Sequence, residues 1–128
     1  MADPRRRIGA LGEEIAAAHL QRAGMTLLAR NYRTRYGEVD LVVRDGDAVA
    51  FVEVKTRRAR PGAPPPFGLP EEAVTARKRA RILRAASAYL QEWCGPEQAW
   101  RVDVVSITLP PTGPAVVRHL PGVDVGEG

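Results

Sequence analysis

Two short apolar runs joined by a turn signal restrict the folds open to this chain. The runs Glu38–Val43 and Ala48–Lys55 are rich in valine, and Asp45-Gly46 stands between them. Asp-Gly between two apolar runs is typical of a β-hairpin with a tight turn. Because apolar residues occupy adjacent as well as alternate positions, we expect both strands to lie in a sheet that is packed on both sides.

Helical periodicity before and after this hairpin predicts the two covering layers. One helix is predicted over Ile8–Ala23, and Gly24 follows as its stop signal. A second helix is predicted from Ala76 to about Trp93, with Thr75 as its N-cap. Three further segments have the composition of strands: Met25–Arg33, Trp100–Leu109 and the short run Ala115–His119. The order helix, three strands, helix, one or two strands predicts an α/β fold around one mixed central sheet.

Length and composition predict a single domain over residues 1–128, with an ordered core at about 8–109. The basic, proline-rich segment 56–70 predicts an exposed loop, and the glycine-rich end at about 120–128 predicts a frayed tail. No stretch approaches the roughly 20 apolar residues of a membrane span, and no secretory signal is recognisable. We therefore expect a cytoplasmic protein with no membrane partner. The lone Cys94 excludes an internal disulfide.

Basic side chains dominate the charge balance and cluster along the chain. The formal net charge is +4, and 17 of the 19 cationic residues are arginine. A GC-rich genome would account for the excess of arginine over lysine. Cations on a surface helix would need no role beyond solvation. The competing interpretation is contact with the phosphates of a nucleic acid, most naturally DNA. The candidate phosphate-binding residues are Arg57, Arg58, Arg60, Arg77, Lys78 and Arg81.

Acidic side chains are embedded in the two apolar runs of the hairpin. The alternation of side chains along a strand places Glu53 and Lys55 on one face of the third strand and Val54 on the other. On the second strand it places Glu38 and Asp40 on one face, and Val39 and Leu41 on the other. We therefore expect two or three carboxylates and one lysine to share a patch of the sheet.

The register of the hairpin decides how closely these groups approach. With Asp45-Gly46 at the centre of the turn, Asp40 lies opposite Phe51 and diagonal to Glu53. A turn shifted by one residue, to Gly46-Asp47, places Asp40 directly opposite Glu53. Both registers bring the two carboxylates into one patch, and the sequence leaves the choice open.

Two neighbouring carboxylates repel each other and remain ionised only beside a compensating cation. Carboxylate oxygens suit Mg²⁺ or Mn²⁺, which polarises a phosphoryl group and lowers the pKa of a bound water. Lys55 could orient that water or neutralise developing charge. Two carboxylates, a divalent metal and a lysine are the groups that hydrolysis of a phosphodiester requires. The alternative is structural, since Glu-x-Lys on a strand is more often a solvated ion pair.

The same residues carry a family resemblance. The chain is similar to the YraN family of small bacterial proteins, which itself resembles the PD-(D/E)XK nuclease superfamily and, within it, the Holliday-junction resolvases. The resemblance runs from about residue 9 to residue 107. It rests on Gly12-Glu13, Asn31-Tyr32-Arg33, Gly37-Glu38-Val39-Asp40-Leu41-Val42, Phe51-Val52-Glu53-Val54-Lys55-Thr56-Arg57, Val74 with Lys78, and Arg101-x-Asp103-Val104-Val105.

The resemblance implies an αβββαβ core and a set of site residues. Asp40 resembles the metal-binding aspartate of the superfamily, and Glu53 with Lys55 resembles its E-x-K pair. Glu13 resembles an acidic residue supplied by the first helix, which implies that it assists Asp40 and Glu53 in binding the metal, and Glu38 is an accessory acid without an assigned role. The chain departs from the superfamily pattern in one respect, since Val39 rather than proline precedes Asp40.

Three functions are consistent with the sequence. The favoured one is a divalent-metal-dependent endonuclease acting on DNA, with Mg²⁺ or Mn²⁺ as cofactor. The resemblance implies that its substrate is branched DNA. Symmetric cleavage of a DNA junction would require a homodimer. The second is a non-catalytic nucleic-acid-binding module with a nuclease-like fold. The third is a protein-interaction adaptor that uses the proline-rich loop.

Overall fold

A computed structural model of the protein describes residues 3–59 and 75–125. Within these ranges it contains two helices and five strands in the predicted order. Their bounds are α1 Pro4–Arg22, β1 Thr26–Arg33, β2 Glu38–Asp45, β3 Ala48–Arg58, α2 Ala76–Trp93, β4 Trp100–Leu109 and β5 Val116–Leu120. The predicted αβββαβ order and α/β fold class are confirmed.

The five strands form one mixed sheet in chain order, β1-β2-β3-β4-β5. β3 and β4 are parallel, and the other neighbouring pairs are antiparallel. A helix covers each face: Leu20 of α1 packs with Leu41 and Val52, whereas Ile82 of α2 packs with Phe51. The prediction that the sheet is packed on both sides is therefore confirmed. Among the described helices, neither combines the length and the apolar character needed to cross a bilayer.

Local capping determines where each helix begins. Asp3 is the N-cap of α1 and accepts a hydrogen bond from the Arg5 N–H at 3.0 Å, while Pro4 occupies the first turn. The helix consequently starts four residues before the predicted Ile8 and includes Arg5. Thr75 caps α2 as predicted and accepts from the Lys78 N–H at 3.2 Å.

The hairpin adopts the shifted register. Asp45 pairs with Ala48, and Leu41 pairs with Val52, so the turn is centred on Gly46-Asp47. The alternative in which Asp40 faces Phe51 is wrong. A turn centred on Asp45-Gly46 in the I′ form needs a positive φ at both residues, whereas here Gly46 alone supplies it, with φ +58°.

A reversal of the side-chain alternation occurs in the middle of β1 and β2. Val39 packs on the α2 side of the sheet and Leu41 on the α1 side, so the prediction that they share a face is wrong. The pairs Arg30↔Leu41 and Tyr32↔Val39 place Asn31 across from Asp40. Asn31 has φ +48°, and this left-handed residue breaks the regular pleat beside Asp40.

The structure describes part of the predicted loop at 56–70 and part of the predicted tail at about 120–128. β3 continues to Arg58 because Arg57 and Arg58 pair with β4, so the start of the predicted loop is strand. Residues 60–74, with Arg60 and the prolines, lie outside the described residues. Beyond β5 the chain stays ordered where fraying was expected: the Val123 N–H donates to the Val102 carbonyl at 2.8 Å, and Val125 packs on the core.

Candidate active site

One cavity of about 530 Å³ opens at the end of the sheet where α1 and α2 both begin. It receives side chains from both helices and from the two strands of the central hairpin. The lining residues are Arg5, Ile8, Gly9, Glu13, Glu38, Asp40, Glu53, Val54, Thr56, Arg58, Lys78, Arg81 and Ile82. Four of the five predicted acidic or lysine site residues, and three of the predicted phosphate-binding ones, therefore meet in one place.

Asp40 and Glu53 form the centre of this cavity. Asp40 and Glu53 follow the last pair of the β2–β3 ladder, Leu41↔Val52, and their carboxyl groups are neighbours, while the Val54 N–H donates to Asp40 Oδ2 at 2.8 Å. Glu53 is 8% exposed. Because the β2–β3 ladder ends beside Asp40, the aspartate carboxylate replaces a backbone carbonyl as the partner of Val54. This contact holds the carboxylate against the sheet.

Burial and like charge act together on the Asp40 carboxyl. The pKa of Asp40 is raised from the usual 3.8 to about 7, chiefly by loss of solvent and then by the charge of Glu53, with a smaller contribution from Glu13. The hydrogen bond from Val54 opposes the shift. Two acids held this close therefore favour a proton or a cation between them at neutral pH.

Among the described residues, Lys78 provides the cation that contacts this pair. Its Nζ lies 2.9 Å from Glu53 Oε1, and its side chain is 49% exposed, while that of Glu53 is 10% exposed. The sequence grouped Lys78 with phosphate-binding residues on a helix surface. The structure instead places its ammonium on a carboxylate, because the Thr75 cap sets Lys78 on the first turn of α2, above β3.

Lys55 lies at the same end of β3 but does not line the cavity. Burial lowers the pKa of its ammonium, and the positive charges of Lys78 and Arg57 lower it further, whereas Glu53 raises it. The two lysines therefore compete electrostatically for the same carboxylate. Lys55 is left with a weaker hold on its proton than an exposed lysine has.

Close backbone contacts bring the flanking elements to the cavity. A Cβ at Gly12 would lie 1.8 Å from Thr56 Oγ1, so only glycine lets α1 approach β3 this closely and carry Glu13 into the lining. A Cβ at Gly37 would lie 2.1 Å from the Arg81 carbonyl oxygen, so the β1–β2 turn rests directly on α2. Both glycines belong to the sequence motifs noted above.

Arginines form the rim of the cavity. Arg81 Nη2 lies 2.8 Å from Glu38 Oε1, and Arg33 Nε lies 3.6 Å from the other Glu38 oxygen. Glu38 is thereby engaged as an ion-pair partner at the rim. Arg5 and Arg58 complete the basic lining. Arg57 is half-buried beside Arg58, Arg77 is exposed on α2 away from the lining, and Arg60 is outside the described residues.

The acidic side chains of the cavity include the donors of a divalent-metal site. Within residues 3–59 and 75–125, no group of three or more His, Cys, Asp or Glu side chains has the geometry of a complete metal site. Asp40 and Glu53 nevertheless offer the oxygen donors that Mg²⁺ and Mn²⁺ prefer, and Mg²⁺ usually binds through one or two carboxylates and several waters. The residues therefore fit a two-carboxylate site, with Glu13 in the lining as a more distant acid.

A second polar cluster lies away from the cavity, at the hairpin end of β4. The Asp103 carboxylate is fully buried and accepts from Arg101 Nε at 2.9 Å and from the Gly122 N–H at 3.0 Å. His119 Nε2 lies 2.7 Å from its other oxygen, and Arg101 also pairs with Asp45. Asp103 therefore pairs with the neighbouring Arg101 and ties β4 to β5 and the C-terminal segment.

Comparison with known proteins gives the family of the chain. A 52% identical protein of Nocardia farcinica aligns over 116 residues, covering 91% of this chain and 87% of the relative. A relative from Frankia alni is 46% identical and covers 90% and 92%, and one from Syntrophus aciditrophicus is 45% identical and covers 84% and 80%. Each bears the name UPF0102 protein. The model of the uncharacterised protein family UPF0102 matches residues 12–107, so the chain belongs to this YraN-like family.

Proposed function

We propose that this protein is a divalent-metal-dependent endonuclease that hydrolyses phosphodiester bonds in DNA, with the fold and site of the PD-(D/E)XK superfamily. The observation that carries the proposal is the opposed pair Asp40 and Glu53, closely packed in a cavity with a basic rim. Two neighbouring carboxylates, of which Glu53 is buried and Asp40 is half-buried, cost stability unless they hold a cation. The αβββαβ core around the pair supports the same assignment.

Asp40 and Glu53 would hold Mg²⁺ or Mn²⁺, and Glu13 would interact with a water of the ion. When bound, the metal supplies Lewis acidity toward a phosphate oxygen and a lowered pKa for a coordinated water. The Val54 N–H keeps Asp40 oriented toward this position. The protein thus contributes preorganised oxygen donors in a partly dry cavity.

Lys55 would handle the proton of the attacking water. Burial and the charges of Lys78 and Arg57 lower its pKa, so a larger fraction of its amine is neutral at a given pH than for an exposed lysine. A neutral amine accepts a proton, and the resulting ammonium stabilises charge on the phosphate. The charge of Glu53 on the same strand acts in the opposite direction and raises the pKa of Lys55.

The basic rim would bind the phosphates that flank the scissile bond. Arg5, Arg58 and Arg81 come from three different elements and surround the cavity. Arginine pairs bidentately with phosphate, so the three can position a backbone without reading its sequence. We extend to this chain the branched-DNA substrate class that the family resemblance implies, and a homodimer is the assembly that symmetric cleavage would need.

One contact favours a second function. The ion pair of Lys78 with Glu53 neutralises one carboxylate without a metal. A protein that had lost catalysis could retain this pair and the basic rim as a non-catalytic nucleic-acid-binding module. Such a module would bind DNA in a salt-sensitive manner and would be indifferent to replacement of Asp40.

Cleavage assays separate the two functions. Wild type, Glu53→Gln and the exposed-site control Glu97→Gln are incubated with four-way-junction, flap, duplex and single-stranded DNA in Mg²⁺, Mn²⁺ or EDTA. The nuclease predicts metal-dependent products that disappear in Glu53→Gln and persist in Glu97→Gln. Binding without products in any metal would refute the nuclease and support the binding module, whereas products that persist in Glu53→Gln would refute the assigned site.

A further inference from the structure

We infer that Lys78 is a displaceable counterion, which occupies Glu53 in the metal-free protein and moves to a substrate phosphate when a divalent metal binds. The inference rests on the metal site of the proposed function and adds an exchange step to it. Lys78 acts here as a positioning residue, because it controls access to Glu53.

The contact geometry supports occupation of Glu53 by Lys78. The ammonium lies 2.9 Å from Glu53 Oε1, a charge-assisted hydrogen bond of ordinary length. Glu53 is almost completely buried, and Lys78 is the cationic side chain within hydrogen-bond distance of it among the described residues. A metal that binds the Asp40–Glu53 pair would therefore meet a positive charge already at Glu53.

The exposure of the two partners supports displacement of the lysine. The Lys78 side chain is 49% exposed and that of Glu53 is 10% exposed, so the carboxylate stays in place while the lysine can swing into solvent. Lysine has four rotatable side-chain bonds and a strongly hydrated ammonium, so it leaves a half-exposed pair at low cost. A divalent ion repels the ammonium at short range, and this repulsion favours the exchange.

The surroundings of the cavity determine where the released ammonium goes. Lys78 lines the same cavity as Arg58 and Arg81. Arg81 is already paired with Glu38 at 2.8 Å, whereas the displaced Lys78 would have no carboxylate left at Glu53. A phosphate of the bound strand at the cavity mouth is the anion that would replace it. Metal binding would thus create one additional phosphate contact.

Metal titration tests the first half of the inference. Mn²⁺ is titrated calorimetrically into wild type, Lys78→Gln, Lys78→Arg, Glu53→Gln and Arg84→Gln without DNA. Arg84 is exposed on α2, six residues from Lys78 and about 9 Å along the helix axis, so its variant removes one charge without touching Glu53.

Counterion exchange predicts about three- to tenfold tighter Mn²⁺ binding in Lys78→Gln, which is the range of a half-exposed ion pair. Lys78→Arg should match or weaken wild-type binding, and Arg84→Gln should stay within about twofold. Unchanged or weaker binding in Lys78→Gln, with wild type binding normally, would overturn the exchange and leave the proposed metal site intact. Absence of Mn²⁺ binding in wild type, or full binding in Glu53→Gln, would overturn the metal site as well.

Salt dependence of DNA binding tests the second half. Affinity for a duplex is measured against salt concentration with Ca²⁺ and with EDTA. With Ca²⁺, the slope of log affinity against log salt should be about 0.9 smaller in Lys78→Gln than in wild type, the contribution of one phosphate contact. With EDTA the two slopes should coincide. Equal slopes in both conditions would overturn the transfer of Lys78 to a phosphate.

Discussion

Replacing Asp40 by asparagine should remove a pH-dependent loss of stability from the metal-free protein. The carboxyl of Asp40 has its pKa raised from 3.8 to about 7, first by burial and then by Glu53. Between these values the folded state keeps a proton that the unfolded state releases, so the free energy of unfolding decreases as the pH rises. Asparagine retains an oxygen for the Val54 N–H and carries no charge.

The magnitude follows from the shift itself. A tenfold change in a proton-binding constant corresponds to about 1.36 kcal/mol, so a rise of the Asp40 pKa from 3.8 to about 7 lowers the free energy of unfolding by up to about 4 kcal/mol between pH 4 and 8. Wild type should lose this amount relative to Asp40→Asn over that window. Below the unfolded-state pKa the Asp40 carboxyl is protonated in both states and contributes no difference.

Urea denaturation in EDTA at half-unit intervals from pH 4 to 8 measures the effect. The control is Asp47→Asn, at the exposed turn of the central hairpin, which should follow wild type. The difference in unfolding free energy between Asp40→Asn and wild type should grow with pH, and saturating Mg²⁺ at pH 8 should reduce it. Parallel profiles for wild type and Asp40→Asn would refute the assignment of a repelled, buried carboxylate pair.

Three further predictions follow from individual contacts. Gly12→Ala should lower the free energy of unfolding by about 1–3 kcal/mol in chemical denaturation, because the added Cβ would collide with Thr56 Oγ1. It should also weaken Mn²⁺ binding, because α1 must move away from β3. Unchanged stability would contradict the close contact. Asp103→Asn should lower the free energy of unfolding by about 3 kcal/mol in the same measurement, because it leaves the charge of Arg101 poorly paired. The affinity for Mn²⁺ should stay at the wild-type value. A change in that affinity would contradict a purely structural role for Asp103. Lys55→Gln should abolish cleavage in the junction assay while calorimetric Mn²⁺ affinity stays within about threefold, and retained cleavage would contradict its role in proton transfer.

Much of the fold was predictable because local patterns and the element order agree. The hairpin signal, the two helical stripes and the N-cap Thr75 lead to the same αβββαβ order that the structure has. The helix start at Pro4 was missed because the apolar stripe begins only at Ile8, whereas capping by Asp3 starts the helix earlier. Asp-Pro at a chain start was the available signal.

The candidate site was predictable in its membership and less so in its pairing. Asp40, Glu53 and Glu13 meet in the cavity as the motifs indicated. The pairing of Lys78 with Glu53 was not predicted, because a residue on a basic helix stripe shows no local sign of which carboxylate it faces. Its distance from Glu53 is 25 positions along the chain, and only the packing of α2 on β3 brings the two groups together.

Sequence alone determined the element order, the two-sided burial of the sheet and the carboxylates within its apolar strands, since each depends on periodicity and composition over a few neighbouring residues. Tertiary structure decided three things: the one-residue choice of hairpin register, the reversal of alternation at Asn31, and the partner of each charged group. A single residue of slip changes which side chains face each other across a strand pair, and long charged side chains choose partners through space. The opposition of Asp40 to Glu53, with Lys78 between helix and sheet, is therefore a property of the assembled fold.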